Sequence, residues 1–139
     1  MRHIFRNLII EFLQRYQLDI HQFDCVIPVP LFPSRQRERG YNQSQILSEE
    51  ICRQYSLVLN THWLKRKRPT QPQVDLKRQE RIANMAQAFT VSNRHNLHGK
   101  TILLVDDLIT TGATASEAAK TLKKAGAQRV GFLALAGAF

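Results

Sequence analysis

The apolar positions of this chain fall into short blocks whose spacing changes along the sequence. The clearest block is Ile102-Leu-Leu-Val105. An unbroken apolar run of this length predicts a strand buried on both faces. Asp106 and Asp107 follow where that strand is expected to end, and Thr110-Thr-Gly-Ala-Thr114 makes a loop of hydroxyls and small residues. From Ala115 to Ala125 the spacing becomes helical, with Ala115, Ala118, Ala119 and Leu122 on one face. Gly126 supplies a C-terminal stop, and Lys120, Lys123 and Lys124 lie near the negative end of the helix dipole. Arg129 to Ala136 predicts a last strand, with Val130, Phe132, Leu133 and Leu135 as its apolar members.

The same reading extends to the rest of the chain. Ile4, Phe5, Leu8, Ile9, Phe12, Leu13 and Tyr16 recur at spacings of three and four, which predicts a helix over residues 4–16 with one apolar face. Phe23 to Pro30 predicts a strand of Val26, Ile27 and Val29, whose ladder Pro28 and Pro30 end because they lack an N–H donor. Asn42 or Ser44 can cap a helix running to about Tyr55, with Ile46, Leu47, Ile51 and Tyr55 inward. Leu57 to Leu59 and Thr61 to Leu64 predict short strands, with Trp63 as a packing residue. Residues 65–81 are polar and basic around Pro69 and Pro72 and predict a long loop, the kind that serves as a lid or a binding arm. A helix over Arg78 to Gln87, a strand over Ala88 to Val91 and a turn over Asn93 to Gly99 complete the pattern.

Strands alternating with helices predict an α/β fold: a mostly parallel central sheet flanked by helices, with a flexible hood loop, in a single domain over residues 1–139. Ligands of such sheets bind beyond the carboxyl ends of the strands. The Asp pair, the loop after Pro30 and the segment after Ala136 all follow strands and can converge there. The apolar runs are too short for a membrane span, and the N-terminus has no signal-peptide pattern, so a cytoplasmic location is expected. Cys25 and Cys52 sit in an apolar strand and a helical pattern, outside any Cys-x-x-Cys pair, and read as buried thiols. The net charge of +9 favours anionic partners, either polyphosphate metabolites or nucleic acid.

The chemistry concentrates between Ile102 and Thr114. The loop Thr110 to Thr114 lacks the nucleotide P-loop and dinucleotide spacings, yet it uses the same device: backbone N–H groups at a helix N-terminus aimed at an anion. Gly112 allows close approach, and Thr110, Thr111 and Thr114 add hydroxyls; the plainer alternative is a threonine that caps the helix. Asp106 and Asp107 suit two adjacent ribose hydroxyls, a Mg²⁺ site or plain solvated charge. Arg35, Arg37 and Arg39 recur at every second position, so an extended segment would carry them on one side, suited to phosphate or to solvent.

The run Ile102 to Thr114 resembles the phosphoribosyl pyrophosphate signature of the type I phosphoribosyltransferases. Cys25-Val-Ile-Pro-Val-Pro-Leu31, Arg37-Glu-Arg-Gly-Tyr-Asn-Gln-Ser44, and Arg66, Arg68, Thr70 and Gln73 with Arg81, Asn84, Ala88 and Phe89 resemble the ComF branch, which is linked with competence and DNA uptake. The resemblance implies a transferase that displaces pyrophosphate at ribose C1 through an oxocarbenium-like state. Asp106 and Asp107 would hold the ribose hydroxyls, and Thr110, Thr111, Gly112, Ala113 and Thr114 the 5-phosphate. Arg35, Arg37 and Arg39 would lie on the pyrophosphate side, and Arg66, Arg68 and Gln73 in the hood. Mg²⁺ would arrive on the phosphoribosyl pyrophosphate, with no direct protein ligand. Family members commonly begin with a cysteine-rich zinc-binding segment; this chain starts with the amphipathic helix, so a natively short or truncated N-terminus and no zinc are expected. The acceptor is not legible. The alternatives to an enzyme are a non-catalytic regulator that binds the same metabolite, and an accessory protein of DNA uptake that meets competence proteins or single-stranded DNA. The apolar N-terminal helix makes a homo-oligomer a further expectation.

Overall fold

The structure is a computed structural model and describes residues 2–15, 19–31, 37–38, 40–67, 88–92, 94–109 and 112–137. Its centre is a four-stranded parallel sheet of β1 (Cys25–Pro28), β2 (Val58–Leu59), β5 (Thr101–Ile109) and β6 (Arg129–Gly137). The strand order is β2-β1-β5-β6. A separate antiparallel pair joins β3 (Leu64–Arg66) to β4 (Phe89–Val91). The helices are α1 (Arg2–Arg15), α2 (Gln43–Tyr55), the single turn α3 (Arg94–Leu97) and α4 (Ala113–Lys124). The expected α/β architecture with a parallel central sheet is what the chain adopts.

Alternation along the two inner strands divides the core into two layers. Cys25, Ile27, Ile102 and Leu104 pack with Ala118 and Leu122 of α4 and with Leu64 and Phe89 of the β3–β4 pair. Val26, Leu103 and Val105 pack with Leu47, Ile51 and Cys52 of α2 and Leu13 of α1. Strands covered on both faces must be apolar throughout, which is why the run Ile102 to Val105 shows no alternation in sequence. Both cysteines are buried free thiols, and burial pushes each of them up to about 11.

Several boundaries differ from the sequence pattern, each for a local reason. β1 ends at Pro28, the first of the two prolines expected to end it, with Pro28 still opposite Val105. Val29 N–H donates to Val105 O at 2.8 Å, so Pro28 would have donated toward the β2 side, where pairing ends at Val26 and Leu59. Thr61 to Trp63 are a bend, because Asn60 Oδ1 accepts from His62 N and Trp63 N at 3.0 and 2.8 Å and turns the chain before β3. β3 therefore runs on to Arg66, into the stretch whose composition predicts a loop. The stretch over Asn93 to Gly99 contains α3, whose Leu97 is fully buried. β5 continues through both acids to Ile109, because β6 keeps pairing with it as far as Gly137. Trp63 packs against the α4-side core, as expected. The helix predicted over Arg78 to Gln87 lies outside the described residues. Among the described residues no helix is long and apolar enough to cross a membrane.

Candidate functional site

The carboxyl edge of the sheet gathers the polar groups. α2 begins here because Asn42 takes an extended conformation (φ −110°, ψ 112°) and its Oδ1 accepts from Ser44 N at 3.0 Å. Of the two caps suggested by sequence, Asn42 is the one used. Its Nδ2 donates to Val29 O at 3.2 Å, so this buried amide ties the first turn of α2 to the end of β1. Ser44 is thereby released from capping and donates instead to Asp106 Oδ1 at 3.0 Å, across 62 residues of chain.

Asp106 and Asp107 lie within β5, both half-buried. Asp106 Oδ1 accepts a second bond from Asp107 N at 2.8 Å. Burial pushes the Asp106 carboxyl up to about 6, and a side-chain hydrogen bond with Asp107 raises it further; the Ser44 hydroxyl and the Asp107 N–H pull the other way. Two carboxylates this close share a strong interest in a proton, a cation or a hydroxyl-bearing ligand.

A few residues on, Gly112 is the N-cap of α4 at φ 82°, ψ 0°, the left-handed region that glycine occupies without penalty. The threonine-cap alternative fails on this point: the cap residue has no side chain, and no side-chain cap bond is made. Ala113 and Thr114 form the first turn of α4 and are half-buried. A helix N-terminus capped by glycine presents its first-turn N–H groups to an anion, and here it follows β5 and its two acids along the chain.

Other expected site residues are distributed differently. Arg37 is exposed. Arg66 is half-buried in β3 opposite Phe89, with its guanidinium 5.2 Å from the Phe89 ring centroid. Packing on an aromatic face thus holds it at the end of β3. Arg35, Arg39, Arg68, Gln73, Thr110 and Thr111 lie outside the described residues. Ser44 and Asn42 are the residues that sequence reading did not place at the site. Their only signal was a pair of polar residues at a helix start, which capping already explained. No group of three or more His, Cys, Asp or Glu side chains is placed to hold a metal among the described residues.

Residues 35–138 match the phosphoribosyl transferase domain family. The chain belongs to that family. Within it, relatives point to the ComF branch. Competence protein F of Haemophilus influenzae is 35% identical over 116 residues, 83% of this chain and 51% of that protein. Competence protein ComFC of Streptococcus pneumoniae is 33% identical over 130 residues, 94% of this chain and 53% of that protein. The chain spans about half the length of the curated relatives it matches. Among solved structures, the glutamine phosphoribosylpyrophosphate amidotransferase of B. subtilis is similar over 94% of this chain and 26% of that one, with a TM-score of 0.60 and 19% identity. That likeness shows a shared phosphoribosyltransferase fold, in agreement with the parallel sheet and its flanking helices.

Proposed function

We propose that the carboxyl edge of this sheet binds phosphoribosyl pyrophosphate with its Mg²⁺ and supports displacement of pyrophosphate at ribose C1. The observation that carries the reading is the sequence of parts on one short segment. Asp106 and Asp107 follow the buried run of β5 and lie within that strand, and a glycine-capped helix N-terminus begins a few residues after the strand ends. The carboxylates accept from the two ribose hydroxyls. The first-turn N–H groups of α4, with Thr110, Thr111 and Thr114, receive the 5-phosphate. Arg35, Arg37 and Arg39 follow β1 in the chain and meet the pyrophosphate as it takes on charge, while Arg68 and Gln73 belong to a hood that excludes water, with Arg66 in β3 where that segment begins. Mg²⁺ enters on the substrate and neutralises the leaving group. The acceptor at C1 is unassigned.

The names of the relatives, together with the net charge of +9, favour a second reading: a competence-linked accessory protein that uses its basic surface for single-stranded DNA. The two readings separate in one set of titrations. Calorimetry with phosphoribosyl pyrophosphate and Mg²⁺ should give saturable binding that Asp107→Ala weakens about tenfold or more, the loss expected for hydrogen bonds to a charged group. Oligonucleotide binding that falls steeply with salt and survives Asp106→Ala and Asp107→Ala, with no binding of the metabolite, would establish the second reading instead.

A further inference from the structure

The contact between Ser44 and Asp106 joins two elements that nothing in the backbone ladder connects at this point. Ser44 stands in the first turn of α2, and Asp106 stands on β5 near the carboxyl edge of the sheet. Ser44 is 3% exposed, so its hydroxyl has few partners to choose from, and it takes Asp106 Oδ1 at 3.0 Å. The hydroxyl is held in place from behind. Asn42 caps the helix through Ser44 N and is itself fastened to Val29 O. A chain of buried, satisfied polar groups thus runs from the end of β1 through the start of α2 to one carboxylate of the acid pair. Buried networks of this kind fix a geometry rather than merely add stability.

We infer that Ser44 is a positioning residue for Asp106, holding one carboxylate oxygen against α2 so that the other oxygen and Asp107 face the ribose. This rests on the phosphoribose reading of the site. Among the described residues, the other side chains beside Asp106 supply no second donor of this kind. Phe12 of α1, Leu47 and Ile51 of α2, and Leu133 and Ala134 of β6 line the hollow beside it and carry no side-chain donor. Asp107, its neighbour on the strand, is the titratable group that faces it from its own element. Ser44 is therefore the side-chain donor that offsets the burial of Asp106 and helps keep it ionised near neutral pH. Removing that donor should leave Asp106 harder to ionise and freer to turn.

The test follows Asp106 directly. Carboxyl ¹³C chemical shifts of the free, full chain are recorded against pH for the natural sequence, Ser44→Ala, Ser44→Thr and Ser48→Ala. The apparent midpoint of Asp106 should rise by about one pH unit in Ser44→Ala and return in Ser44→Thr. Ser48→Ala, which removes a buried hydroxyl one turn away, should leave it unmoved. Should Ser44→Ala fail to fold, Ser44→Cys, a weaker donor of similar size, is measured in its place with the same expectation. An unchanged Asp106 midpoint in the variant overturns the inference. Binding of phosphoribosyl pyrophosphate with Mg²⁺ is then measured from pH 5 to 8.5. Ser44→Ala should bind about tenfold more weakly near pH 6.5, with most of the difference regained at pH 8.5 as Asp106 ionises. A natural chain that does not bind the metabolite at any pH removes the phosphoribose reading, and with it the ligand-facing half of the inference, while the carboxyl titration still decides whether Ser44 sets Asp106. Equal loss of affinity at every pH, with the midpoint unmoved, assigns Ser44 a packing role only and contradicts the inference.

Discussion

At the scale of the residue, Asp106 carries a cost that the fold itself does not require. Its carboxyl is largely removed from water and lies beside a second carboxyl, so ionising it in the folded chain costs free energy that the unfolded chain does not spend. Because its folded midpoint is raised to about 6 from the ordinary 3.8, the cost is absent below about pH 4, grows as pH rises through that window and is complete above it. Asp106→Asn keeps an acceptor for Ser44 and removes the charge. It should therefore be more stable than the natural sequence at pH 7.5, by about 1–2 kcal/mol after allowing for solvent screening. The advantage should shrink to nothing near pH 4, as urea denaturation at the two pH values will show. The same substitution should weaken the binding of phosphoribosyl pyrophosphate. The acid pair itself was legible in the sequence, because two adjacent carboxylates after an apolar run are conspicuous. Its partner was not. Ser44 lies 62 residues away from Asp106, and a serine at a helix start is already explained by capping.

At the scale of the element, periodicity identified the long helices and the inner strands, and it failed where pairing or a side-chain turn overrode it. β5 was expected to stop at Val105, but its neighbour β6 carries apolar and small residues far enough to pair through Ile109. Strand length in a sheet is decided by the partner as much as by the strand. β3 was displaced because Asn60 turns the chain, an effect of one side chain on two following N–H groups. The end of α2 offers a clean measurement. Ser56 closes it in the left-handed region (φ 56°, ψ 42°), where a side chain costs about 1 kcal/mol that glycine avoids. Ser56→Gly should raise stability by roughly 0.5–1 kcal/mol, less the entropy glycine adds to the unfolded chain. A drop in stability would mean that Ser56 makes a compensating contact. On the opposite layer, Leu122 of α4 is fully buried against the sheet, and Leu122→Ala should cost about 2–5 kcal/mol in chemical denaturation.

At the scale of the whole molecule, the parallel sheet places the carboxyl ends of its four strands on one edge, and α2 ties two of the strands together there. Asn42 fastens α2 to the end of β1, and Ser44 fastens it to β5. The fold was legible because a doubly covered parallel sheet needs unbroken apolar strands, and the chain has them in Val26-Ile27 and Ile102 to Val105. The segment proposed for the donor half of the site stood out for a related reason: strand, acids, loop and helix follow one another directly in the sequence. The arginine and hood groups come from separate segments, so nothing in their spacing fixes where they meet the acids. The central claim is that Asp106, Asp107 and the start of α4 form one site for phosphoribosyl pyrophosphate. Backbone-amide NMR of the chain, titrated with phosphoribosyl pyrophosphate and Mg²⁺, tests it most directly. Saturable shifts centred on Asp106, Asp107, Gly112, Ala113 and Thr114, with a smaller response at Ser44, are the predicted result. No saturable change at these amides, or a response confined to residues away from the carboxyl edge of the sheet, would contradict it.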